Sequence, residues 1–198
     1  MDRYLFMKPV IDRLAQGPFF RRNLALCVRI AAAAAAMAAL VEFVEAWNFT
    51  SRLEAGRIPG GIVYMLSLAA AAYMVVHAML IRANDIASLP QTGYTLIPVA
   101  GVVFPMIGEA YGAACAALGA GGGVLIWFAG DTSYNVLHRV SFFIPFQGGG
   151  TFTAGILYIL RGALRAVVAL CLGYLFSELS LVVERLGGKA PREASGGE

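Results

Sequence analysis

Charge is scarce in this sequence. Asp, Glu, Lys and Arg together supply 14% of its 198 residues, where soluble domains carry about 25%. Cysteine is sparse too: Cys27, Cys115 and Cys171 each sit inside an apolar stretch. No CxxC pair or Cys/His cluster accompanies them, so they read as small hydrophobes rather than as a zinc site or disulfide framework. Histidine occurs at 77 and 138 alone. A membrane b-type haem needs paired histidines on facing helices. His77 falls near one end of the second apolar stretch and His138 beyond the opposite end of the third, so they do not suit one iron. No metal or cofactor is implied. P-loop, GxSxG and HExxH signatures are missing, and no acidic metal cluster is visible. The glycine runs at 121–123 and 148–150 lack a preceding strand or a following lysine motif. The net charge of +3 is too mild for nucleic acid, and in a membrane protein it reflects loops near anionic lipid.

Apolar surface is what the chain has in excess. Residues of the AVILMFWYC set make up 59%, against roughly 45–50% in soluble proteins. A soluble fold of this size buries only about 70% of the surface its unfolded chain exposes. The lipid bilayer is the natural solvent for the remainder, and helices satisfy their own amides within it. The fold class is therefore all-α: a polytopic membrane protein, a bundle of about four transmembrane helices with short interfacial segments.

Residues 1–23 form a basic segment with Arg3, Lys8, Arg13, Arg21 and Arg22. Pro9 and Gly17-Pro18 limit any helix there to short pieces, lying along the membrane surface or forming a solvated tail. Residues 24–184 are the transmembrane domain, and residues 185–198 a disordered cytoplasmic tail. The first span, 24–46, carries Arg29, Glu42 and Glu45 and ends at the aromatic boundary of Trp47 and Phe49. It starts too far from the N-terminus for a signal h-region and has no polar cleavage region, so it reads as uncleaved. Pro59-Gly60-Gly61 closes the next loop. The second span, 62–81, is clean apart from His77 and is ended by Arg82, Asn84 and Asp85, with a turn at Pro90 to Gly93. Residues 94–129 are too long for one upright helix and barely enough for two. With Pro98, Pro105 and several glycines inside, one long kinked span, a broken helix and a tight hairpin all fit. Residues 131–150 form a connector whose Phe142-Phe143-Ile144-Pro145-Phe146 looks interfacial. The last stretch, 151–183, contains Arg161, Arg165 and Glu178.

Four spans with both ends inside place Arg82, the N-terminal basic residues, Arg185, Lys189 and Arg192 on the inner side. Arg52, Arg57 and Arg139 fall outside. That asymmetry suits a bacterial cytoplasmic (inner) membrane protein with cytoplasmic termini.

Intramembrane charge costs several kcal/mol without a partner or water. Glu42 and Glu45 lie at a depth similar to Arg161 and Arg165, and spacings of three and four put each pair on one helix face. They are expected to face one another, a partner protein or an aqueous cavity; the alternative is that the carboxylates reach the headgroups and Arg161 snorkels. Glu109, among Pro105, Gly108 and Gly112, is a candidate ion or proton site, or a carboxylate bonded to a neighbouring helix. Gly108, Gly112, Ala116 and Ala120 repeat every four residues, as do Cys115, Gly119 and Gly123, and form a helix-packing surface. The leading expectation is a non-enzymatic subunit or scaffold packing against another membrane protein or further copies of itself. The alternative is a small oligomeric channel or transporter using Glu109 in a broken third span.

Overall fold

The computed structural model describes residues 17–89 and 96–187. The expectations for residues 1–16, the turn at 90–93 and the tail beyond 187 lie outside the described residues. Among those described, the chain is helical with no strand. The elements are α1 (Gly17–Thr50), α2 (Ile58–Ser88), α3 (Leu96–Ala129), a 3₁₀ turn (Gly130–Ser133), a short α4 (Tyr134–Leu137) and α5 (Phe152–Gly187). Four of them are long and apolar enough to cross a membrane.

Two sequence boundaries shift. Residues 17–23 are the first turns of α1 rather than separate short pieces, with Gly17-Pro18 at the start, where a proline without its N–H is tolerated. Likewise Pro59-Gly60-Gly61 opens α2 instead of closing the loop. A Cβ on Gly60 would collide with Phe128 of α3, and one on Gly61 with Thr50 of α1. These glycines seat the start of α2 between its neighbours.

Residues 96–129 form one continuous helix, which removes the broken-helix and hairpin readings of this segment. Pro105 sits inside it and cannot donate to the carbonyl of Gly101, four residues back. The Ser177 hydroxyl of α5 donates to that carbonyl at 2.7 Å instead. A neighbouring helix thus re-satisfies the freed backbone group, as proline inside an apolar helix requires.

The long helices pack in the order α1, α2, α3, α5, each against the next. The ends joined by Thr50, Gly60, Phe128 and Gly155 are here called upper; Gly155 is placed there by its approach to Trp127. Lower contacts include Arg21 Nη1 donating to the Leu89 carbonyl at 2.5 Å and Arg29 Nη2 to Asn84 Oδ1 at 2.9 Å. In the most apolar 18 residues of the span Leu96–Leu137, which begins with α3, 61% of residues are buried, against 17% for α1 and 11% for α5. Thus α3 is the core helix and α1 and α5 are the flanks.

The α3–α5 seam is made of small residues. A Cβ on Gly108 would stand 2.6 Å from the Ala169 carbonyl, one on Gly112 3.1 Å from that of Ala166, and one on Gly119 2.9 Å from Gly162 Cα. Ala116 and Ala120, grouped with Gly108 and Gly112 in the sequence, are exposed instead. A four-residue step advances about 40° beyond a full turn, so the row drifts off the contact face. The step of three from Gly112 to Cys115 brings it back, and Gly119 and Gly123 continue the seam. Its partner is α5 of the same chain.

Candidate functional site

The connector between α3 and α5 packs against the long helices. After α4 it turns down into the bundle: Leu137 and Ile144 are fully buried and Phe146 nearly so, while Phe142 stays exposed. Ile144 fills the gap beside Gly119 and Gly162, and Phe146 meets the buried Tyr158 edge-on. The tip lies near Cys115 and Arg165, about 15–20 Å below the upper end at 1.5 Å per residue. Residues 138–150 therefore form a re-entrant segment: irregular backbone that dips between the long helices and is sheltered by protein on several sides, the condition under which a membrane would tolerate such backbone.

Carbonyls at the tip of the segment receive side-chain donors. Arg165 Nη1 donates to the Phe143 carbonyl at 2.7 Å, and Tyr111 Oη approaches the same oxygen at 3.4 Å. Cys115 Sγ, buried in the seam, stands 3.6 Å from it; Cys27 and Cys171 are exposed on helix surfaces. At the mouth, Gly150 N donates to Asp131 Oδ1 at 2.5 Å. Gly148 and Gly149, with φ of +94° and +97°, make the return turn that other residues rarely adopt.

The expected pairing of Glu42 and Glu45 with Arg161 and Arg165 does not form within the chain. Glu42 accepts from Arg139 instead, at 2.9 Å from Nε and 3.2 Å from Nη2. Arg165 serves the Phe143 carbonyl, while Glu45 and Arg161 are exposed. The reason is the helix order: α1 and α5 flank opposite sides of α2 and α3, so their charges cannot meet, while the re-entrant segment carries Arg139 to Glu42. Glu45 borders a polar cleft of about 660 Å³ with Asn48, Arg52, Thr132, Asn135 and Arg139.

Glu109 has two partners that the sequence did not assign to it. Arg82 of α2 forms a bidentate ion pair with it, through Nε at 3.0 Å and a shorter contact from Nη2. Tyr174 Oη of α5 donates to Glu109 Oε1 at 2.7 Å, and Arg82 Nη1 lies 3.3 Å from Asp85 Oδ2. The cluster ties three consecutive helices together and borders a recess of about 440 Å³ that includes Tyr73, His77 and Ile81. His77 stacks on Tyr73 and His138 lies tilted against Tyr134, in separate parts of the fold. Among the described residues no group of three or more His, Cys, Asp or Glu is placed to hold a metal ion.

The fold and these sites define an all-helical chain with four potential membrane spans and a re-entrant segment. Comparison with protein-family models, with curated proteins and with solved structures returns no match.

Proposed function

We propose that this chain is a non-enzymatic subunit or scaffold of a membrane assembly, packing against partner membrane proteins through its flanking helices. The observation that carries this reading is Arg161. It lies exposed on α5, about 9 Å below the level of Gly155, with no hydrogen bond or ion pair among the described residues. Glu45 on α1 is exposed as well, whereas Glu42 has Arg139, Arg165 has a backbone carbonyl, and Glu109 has Arg82 and Tyr174. Lipid tails satisfy an apolar helix face but not a guanidinium. A carboxylate on a neighbouring protein does. The distribution of basic residues supports a bacterial cytoplasmic membrane with both termini on the cytoplasmic side.

Isolation in mild detergent tests the reading, with stoichiometric recovery of another membrane polypeptide or of further copies of this chain as the expected result. A monomer accompanied by lipid alone refutes it.

A transport function centred on Glu109 is the competing reading, supported by the recess beside that carboxylate. The Arg82 guanidinium already neutralises Glu109, and α3 is unbroken around it; both features weigh against transport. Ion or proton flux in liposomes that is lost in Glu109→Gln would reverse this preference.

A further inference from the structure

Two exposed charges near the upper ends of the helices, Glu45 and Arg161, lie on opposite flanks of the molecule, and their depths agree. Thr50 of α1 meets Gly61, Gly60 meets Phe128, and Gly155 of α5 meets Trp127, which sets a common level across the four helices. Measured from it at 1.5 Å per residue, Glu45 on α1 is about 7.5 Å down and Arg161 on α5 about 9 Å down. Both are exposed, and among the described residues neither forms an ion pair. The Arg139 guanidinium near Glu45 is already held by both oxygens of Glu42.

The faces around these charges complement each other as well. Ala38 and Ala34 continue the exposed face of α1 below Glu45 at helical spacing. Val168 and Leu172 continue that of α5 below Arg161, at 47% and 46% exposure. By the same rise, Ala38 and Val168 lie about 18 and 20 Å down, and Ala34 and Leu172 about 24 and 26 Å. Alanine rows let a second helix approach closely, and branched side chains fill the space they leave. The helices α1 and α5 run in opposite directions, so the α5 of one molecule can lie antiparallel against the α1 of another while both molecules keep the same orientation in a membrane.

We propose that the partner of α1 is α5 of a second copy of this chain, joined by an ion pair between Glu45 of one copy and Arg161 of the next. This deepens the reading of the chain as a packing subunit and rests on it. The contact uses different surfaces on the two copies, so repetition generates a ring when the rotation closes. Each interface then removes one carboxylate and one guanidinium from lipid together.

Charge reversal in trans tests the pairing. The full-length protein is expected to be oligomeric in mild detergent by native mass measurement and in bilayers by counting bleaching steps of a single attached dye. Glu45→Arg alone and Arg161→Glu alone set like charges at every interface, and each is expected to weaken association roughly tenfold or more. Co-expressed, the two variants restore opposite charges at mixed interfaces, and oligomers containing both are expected. Assembly unaffected by either reversal, or no recovery on co-expression, overturns the proposal. Should a reversed variant fail to fold, Glu45→Cys with Arg161→Cys, in a chain whose native cysteines are serine, gives the second measurement. Oxidation is expected to link separate copies in the membrane, and the absence of linked dimers overturns the pairing. A wild-type monomer that co-purifies with a different membrane polypeptide overturns self-assembly and leaves the subunit reading standing. A monomer with lipid alone ends both.

Discussion

Adding one methyl group at Gly162 puts the α3–α5 seam to its most direct test. A Cβ there would lie 2.7 Å from the Cys115 carbonyl oxygen, 2.7 Å from Gly119 Cα and 3.1 Å from Ile144 Cδ1. Carbon atoms rest at about 3.5–4.0 Å, so Gly162→Ala pushes the two helices apart by about 1 Å. Two of the three obstacles belong to the α3 backbone and cannot rotate away. Overpacking of this kind costs about 1–3 kcal/mol, and Gly162→Leu is expected to cost more. Gly56 provides the control, because a Cβ there meets nothing within 4 Å; Gly56→Ala is expected to stay within about 0.5 kcal/mol of the parent. The assay is unfolding by titration of dodecyl sulfate into mild detergent micelles, followed by fluorescence. Trp127 is the natural probe: it stands at the top of the seam with Nε1 donating to the Phe152 carbonyl at 2.9 Å, and replacing Trp47 leaves it as the single tryptophan. If Gly162→Ala and Gly56→Ala unfold at the same denaturant fraction, the close approach of α3 and α5 is refuted.

Three further outcomes are expected. Arg82→Gln leaves the Glu109 carboxylate partly buried without its counter-ion, and Glu109→Gln leaves Arg82 with Asp85 alone, at about 1–3 kcal/mol apiece; the double variant should lose less than the sum, and an additive double-mutant cycle would count against the pair. Arg165→Leu removes the 2.7 Å donor from the Phe143 carbonyl, so amide hydrogen exchange in residues 139–147 should accelerate several-fold while the four long helices stay protected. Gly149→Val forces a branched side chain into a backbone with φ of +97°, which should lower stability by about 1–2 kcal/mol and speed exchange at the Gly150 amide, measured in the same experiment.

The helical spans were legible because hydropathy over long stretches depends on composition rather than on partners. The small-residue row on α3 was legible too, although strict spacing by four misassigned Ala116 and Ala120, whose direction on the helix rotates off the seam. Its complement on α5 carried an equally readable signal that went unused: Gly155, Gly162, Ala166, Ala169 and Gly173 fall on one face at helical spacing. The re-entrant segment was hidden for a different reason. An apolar run such as Phe142 to Phe146 has the same hydropathy at an interface as inside a bundle. The group that anchors it is a main-chain carbonyl, which leaves no mark in the amino-acid order. Arg139 was hidden with it: a residue assigned to a connector offers no hint that the connector delivers it to Glu42. The single-helix form of α3 depended on Ser177, far along the chain, supplying the donor that Pro105 lacks.

The groups that hold the re-entrant segment also impose an order on biogenesis. Gly162, which leaves room for Ile144, and Arg165, which binds the Phe143 carbonyl, both follow that segment in the chain. When a ribosome has finished α3 and α4, neither the slot nor the anchor exists. The segment can settle only after α5 has closed against α3, so its seating is a late event and a nascent chain truncated before Gly162 carries it unanchored.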